Sequence, residues 1–69
     1  MDNSPPNDEQ LLTFFKAMAD ANRLKILGLL AGQPYSGEQL AALLDLRPST
    51  VSHHLMILSE AGLVSARAE

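Results

Sequence analysis

Apolar residues recur at three- and four-residue intervals in four stretches of this chain, and polar or conformationally special residues separate them. Met1 to Pro6 has no such period and contains the Pro5-Pro6 pair, so residues 1–6 read as a mobile arm. Leu11, Leu12, Phe15 and Met18 then fall at helical spacing behind Asn7, with Gln10 three residues on in a capping-box arrangement. That spacing predicts a first helix over about Asp8 to Ala19. Asp20 is a candidate cap for a second helix, in which Leu24, Leu27 and Leu30 share one face, Arg23 and Lys25 point away from it, and Gly32 ends the run after Ala31.

Pro34-Tyr35 interrupts the pattern, and Ser36 with Gln39 forms a second capping-box signature ahead of Leu40, Leu43 and Leu44. A third helix is expected over about Gly37 to Leu44. Asp45 falls where the chain must turn sharply, and a short acidic side chain tolerates the left-handed conformation such a turn uses. Pro48 suits the first turn of a fourth helix, since its missing N–H has no partner to lose there, and Val51, Leu55 and Leu58 mark the buried side. Gly62 ends this helix, and Leu63 to Ala66 reads as a short strand with Leu63 inward. The predicted fold is all-α with a minor terminal β-strand.

Two short helices separated by about three residues, the second opening Pro48-Ser49-Thr50-Val51-Ser52, form a helix-turn-helix over about residues 37–61 within one domain over 7–69. Small Ala41 and Ala42 let the helices approach, while Leu46 and Val51 plug the angle between them. With Val51, Leu55 and Leu58 committed inward, the fourth helix presents Ser49, Thr50, Ser52, His53 and Met56 outward. Short hydroxyl side chains at a helix start can bond phosphates or base edges in a DNA groove; the plainer alternative is that they only cap the first turn.

Composition narrows the function further. At 69 residues and 46% apolar content with few aromatics, the chain suits one small helical domain of marginal stability. It has no cysteine, which excludes disulfides, thiolate ligands and a cysteine nucleophile, and agrees with a reducing cytoplasm. No apolar run is long enough to cross a membrane. The chain shows no nucleophile elbow, glycine-rich phosphate loop or carboxylate cluster, so it does not read as an enzyme and implies no cofactor. His53 and His54 diverge by about 100° on a helix and cannot share one metal ion with ordinary geometry. His53 reads as facing DNA or solvent, and His54 as a half-buried structural residue.

The formal charge of −3, from five Lys and Arg against eight Asp and Glu, runs against the basic face expected of a DNA-binding domain. Asp8, Glu9 and Glu38 belong to first helical turns, where they complement the helix dipole. The outward face of the fourth helix offers Arg47 and the helix N-terminus, with Arg67 beyond, so two such faces in a dimer would repair a thin set of cations.

The run from Leu40 to Leu55, continued by Ser59-Glu60-Ala61-Gly62-Leu63-Val64, resembles the ArsR family of repressors, as does Ala19-Asp20-Ala21-Asn22-Arg23-Leu24-Lys25-Ile26-Leu27. Together these cover most of residues 11 to 66. The resemblance implies a winged helix-turn-helix in a cytoplasmic, homodimeric transcriptional repressor that binds double-stranded DNA. It implies that the residues matching Ser49, Ser52 and His53 face DNA, with Arg47 and Thr50 beside them, and that the first helix joins a dimer interface through Leu11, Phe14 or Phe15. Pro48 and Arg47 depart from the polar and N-capping residues common at their positions, so one base contact is lost and Arg47 is free to reach a phosphate. Metal-sensing members carry cysteines on the third helix or ligands on a C-terminal helix; Tyr35 to Leu44 holds neither Cys nor His, and no metal site transfers. A wing needs a strand to pair with Leu63 to Ala66, so the wing is incomplete and the chain reads as truncated at its C-terminus. The rival reading is a winged-helix module that binds protein, favoured by the acidic balance and disfavoured by the hydroxyl-rich face of the fourth helix.

Overall fold

The computed structural model describes residues 8–65 as four helices: α1 Asp8–Met18, α2 Ala21–Gly32, α3 Gly37–Leu44 and α4 Pro48–Glu60. Their boundaries follow from local chemistry. Asp20, in an extended conformation, accepts hydrogen bonds from the backbone N–H groups of Asn22 and Arg23 at 2.8 and 3.1 Å, satisfying two donors at the start of α2. At α3 the capping box is complete: the Gln39 N–H donates to Ser36 Oγ at 3.0 Å, and the Ser36 N–H donates to Gln39 Oε1 at 2.8 Å.

The turn between α3 and α4 uses Asp45, Leu46 and Arg47. Asp45 sits at φ 56°, ψ 49°, in the left-handed region, and this allows the Leu46 N–H to reach back to the Ala41 carbonyl at 2.9 Å. Arg47 precedes α4 without a side-chain cap bond, and Pro48 supplies the first helical position. Gly62, at φ 75°, closes the other end. Its N–H donates to Ser59 and that of Leu63 to Leu58, each at 2.9 Å, a Schellman closure that needs a residue free of Cβ strain at that φ.

The core draws on all four helices: Ala17 from α1, Ile26 from α2, Leu40 and Ala41 from α3, and Val51 and Leu58 from α4. Helix α4 packs against each of the other three. Burying each of the large members contributes roughly 1.5–3 kcal/mol, so few side chains carry the fold. Ala41, and not Ala42, is the small residue at the α3–α4 approach; Ala42 is exposed.

Three expectations need correction. On α2 the inward stripe is Arg23, Ile26, Leu27 and Leu30, at i, i+3, i+4 and i+7; Leu24 is 47% exposed and Arg23 turns inward. The eye follows the leucines, but the helix is rotated to bury the β-branched Ile26. On α3, Leu40, Ala41 and Leu44 face in while Leu43 is exposed. Residues Leu63 to Ser65 form no strand, because among the described residues no neighbouring segment offers a ladder to pair with. The arm at 1–6, the Asn7 cap, Ala66 and Arg67 lie outside the described residues.

Candidate nucleic-acid interface

Helix α4 divides its side chains sharply. Val51, His54 and Leu58 are buried, at i, i+3 and i+7, and they fix which side of the helix meets the rest of the protein. Ser49, Ser52, His53 and Met56 are exposed, and their i, i+3, i+4, i+7 spacing places them on one outward stripe. Thr50 is half-buried at the edge of that stripe, and Arg47 is exposed just ahead of it. Of the residues singled out from the sequence, Arg47, Ser49, Ser52 and His53 therefore share one open surface, with Thr50 partly turned from it.

The charge on this surface differs from that of the whole chain. From Leu46 to Ser59 there is no Asp or Glu, whereas Arg47, His53 and His54 all fall in this span. Among the described residues the acids lie outside that span: Asp8 and Glu9 in the first turn of α1, Asp20 at the cap of α2, Glu38 in the first turn of α3, and Asp45 and Glu60 just beyond the span's two ends. An anion approaching the start of α4 meets Arg47 and the positive end of the helix dipole.

Sequence reasoning missed the polar joint beneath α4. The Arg23 guanidinium donates from Nε to the Ala17 carbonyl at 2.7 Å and from Nη2 to the Lys16 carbonyl at 2.9 Å, capping the last turn of α1. Its Nη1 lies 3.2 Å from His54 Nδ1 on α4. His54, 7% exposed, is thus the structural histidine its position suggested, and its partner is Arg23. The detectable signal was Arg23's place three residues before Ile26, on the buried stripe. Beside it, the Arg23 backbone N–H holds the Asp20 carboxyl below the usual carboxylate range, against a smaller opposing effect of burial.

The His53 and His54 rings sit 6.2 Å apart with planes tilted by 47°, and among the described residues no group of three or more His, Cys, Asp or Glu side chains could hold a metal ion. No helix among these residues is long and apolar enough to cross a membrane.

Helix α1 is of the opposite character. Leu11, Leu12, Phe14 and Phe15 are 40%, 54%, 38% and 61% exposed, and the two Phe rings meet edge to face at 5.5 Å and 81°.

The comparisons with known proteins agree with this architecture. A family model for bacterial regulatory proteins of the arsR family matches residues 20–66, from the α2 cap through the whole of α3 and α4. The chain is 41% identical over 59 residues to the transcriptional repressor SmtB homolog of Synechocystis sp., covering 86% of this chain and 45% of that protein. It is 38% identical over 63 residues to the transcriptional activator HlyU of Vibrio cholerae, covering 91% and 58%. With the transcriptional repressor SdpR of Bacillus subtilis it shares 39% identity over 51 residues, covering 74% and 57%. The chain thus spans about half the length of the curated relatives it matches. No solved structure matches it. On the family match and these identities, the chain belongs to the arsR family of bacterial regulatory proteins.

Proposed function

We propose that the chain is the DNA-binding part of a transcriptional regulator acting as a repressor, with α4 lying in the major groove of double-stranded DNA. The observation that carries this reading is the outward stripe of Ser49, Ser52, His53 and Met56 on a helix whose other side is locked into the core. Ser and His side chains can bond base edges, while Arg47 and the helix start meet phosphates and fix the register. Thr50, half-buried, lies at the edge of this stripe. Relatives named as repressors and one named as an activator both support a regulator over an enzyme, and a repressor needs only to occupy its operator. Such a regulator works in the cytoplasm, where bacterial DNA lies.

The protein acts as a homodimer. Two copies of α4 related by a two-fold axis read two half-sites, and the apolar side chains of α1, centred on Leu11, Phe14 and Phe15, cover one another in the second copy. Four exposed large apolar side chains, Leu11, Leu12, Phe14 and Phe15, lie on α1, whereas Met56 stands among polar Ser49, Ser52 and His53 on the outward stripe of α4, which favours DNA over a docked protein as the occupant of the α4 face.

Selection of bound sequences from a random duplex library, followed by titration of the winner at several salt concentrations, tests the reading. The expected result is an enriched two-fold symmetric site whose affinity falls log-linearly with salt. Absence of any enriched duplex, with capture of a protein through α4, would establish the docking module instead.

A further inference from the structure

The Arg23 contacts are not used by the DNA-reading proposal, yet they join the helix proposed to contact DNA to the end of the helix proposed to join two copies. Arginine carries only donors and stays charged, so a hydrogen bond between Nη1 and His54 Nδ1 requires that nitrogen to be the acceptor. His54 must then be neutral, with its proton on Nε2. A protonated imidazole would present a donor and a like charge to the guanidinium at the same 3.2 Å, and the contact would open.

We propose that Arg23 and His54 are the positioning pair of α4: the guanidinium, anchored on the carbonyls of Lys16 and Ala17, sets the pose of the helix through neutral His54. The proposal rests on the reading of α4 as the DNA-contacting helix. His54 lies on the buried stripe between Val51 and Leu58 and directly follows Ser52 and His53 in sequence, so a displacement of His54 carries the outward stripe with it. The groups facing it can be named. Arg23 and Asp20 come from the start of α2, and His53 from its own helix. Helix α1 contributes through Arg23 its Lys16 and Ala17 carbonyls, and α3 supplies apolar Leu40 and Ala41 to the adjoining core. Asp20 attracts a charged imidazole and Arg23 repels one. Arg23 is the group in contact, while Asp20 acts on His54 only through its charge and holds the Asn22 and Arg23 amides on Oδ1. Protonation of His54 would therefore open the contact and weaken DNA binding.

The test uses His54→Gln, which keeps an acceptor and cannot titrate, and His54→Leu, which has none. At alkaline pH, nitrogen NMR should find His54 of the parent as the Nε2–H tautomer, and the backbone amide signals of Ser49 to His53 should move in His54→Leu but stay near parent positions in His54→Gln. On duplex DNA, His54→Leu should bind on the order of tenfold more weakly at neutral pH, and His54→Gln within a few-fold of the parent. On acidification the affinity ratio of His54→Gln to parent should rise, a ratio in which any titration of His53 cancels. An Nδ1–H tautomer, equal effects of Gln and Leu, or a flat ratio would each overturn the proposal. If His54→Leu does not fold, the tautomer and the Gln ratio decide. If the parent binds no duplex, the DNA reading fails by itself, and the tautomer and amide shifts still judge the pair.

Discussion

Helices α1 and α4 are of similar length and each turns one side to the same core, yet their outer sides have nothing in common. Helix α1 buries Ala17 and leaves Leu12 and Phe15 more than half exposed. Helix α4 buries Val51, His54 and Leu58 and exposes Ser49, Ser52 and His53. Leaving large apolar side chains in water forgoes roughly 1.5–3 kcal/mol each, so α1 is incomplete until something apolar covers it. The outer side of α4 is polar apart from Met56, and the DNA contact proposed for it draws on hydrogen bonds and phosphate contacts. One helical frame thus carries two surfaces with different physics, one sensitive to apolar area and the other to salt and to hydroxyl or imidazole chemistry.

Substitutions that remove the shared core should abolish both surfaces together. Leu40→Ala should destabilise the fold by about 2–5 kcal/mol, read by thermal or urea denaturation, because Leu40 is fully buried where α3 meets the rest of the core. A variant of near-parent stability would mean that the core is not the common support of α1 and α4. The surfaces separate at the next level. Phe15→Ser should weaken self-association of the full-length protein by roughly 1.5–3 kcal/mol per side chain, seen by sedimentation equilibrium, with little change in the stability of the isolated monomer. Unchanged association would remove α1 from the interface.

Single changes on α4 should do the reverse. Ser52→Ala or His53→Ala should cost on the order of 1–3 kcal/mol at the matched DNA site, with the fold and dimer intact, while Arg47→Ala should weaken all sequences alike and flatten the salt dependence. Equal losses on matched and unmatched duplexes for Ser52→Ala would make that serine a phosphate contact. The smallest expected effect concerns the α2 cap. The Asp20 carboxyl titrates below its usual 3.8 in the folded chain, so its contribution is complete above that value and is lost as the pH falls through the lowered one. Asp20→Ala should cost about 1 kcal/mol near neutral pH, and Asp20→Asn should keep most of the cap while flattening the acid limb of the stability profile.

The elements were legible in the sequence because their ends carry chemistry that acts over a few residues. Ser36 with Gln39, Asp45 at the left-handed turn, Pro48 at a helix start and Gly62 at a helix end each satisfy or break local backbone bonds. The outward stripe of α4 was legible for a related reason, since assigning Val51 and Leu58 inward leaves Ser49, Ser52 and His53 outside. Rotation of a helix is a tertiary property and was harder to see. Leu24 and Leu43 look like core residues in the chain and stand exposed, because packing selected Ile26 and Ala41 in their place. The inward turn of Arg23 is hidden for the same reason: a charged residue reads as solvent-facing until the α1 carbonyls and His54 that satisfy it are brought beside it.

The contrast between α1 and α4 is tested most directly by the variant of the full-length protein in which Ser49, Ser52 and His53 are all changed to Ala. The measurement is its affinity for the selected duplex across a range of salt, beside its unfolding curve and its sedimentation. The account predicts a folded dimer that loses discrimination between the selected duplex and unrelated DNA while keeping the salt-dependent phosphate binding of Arg47. A folded dimer that holds the selected duplex as tightly as the parent would contradict it.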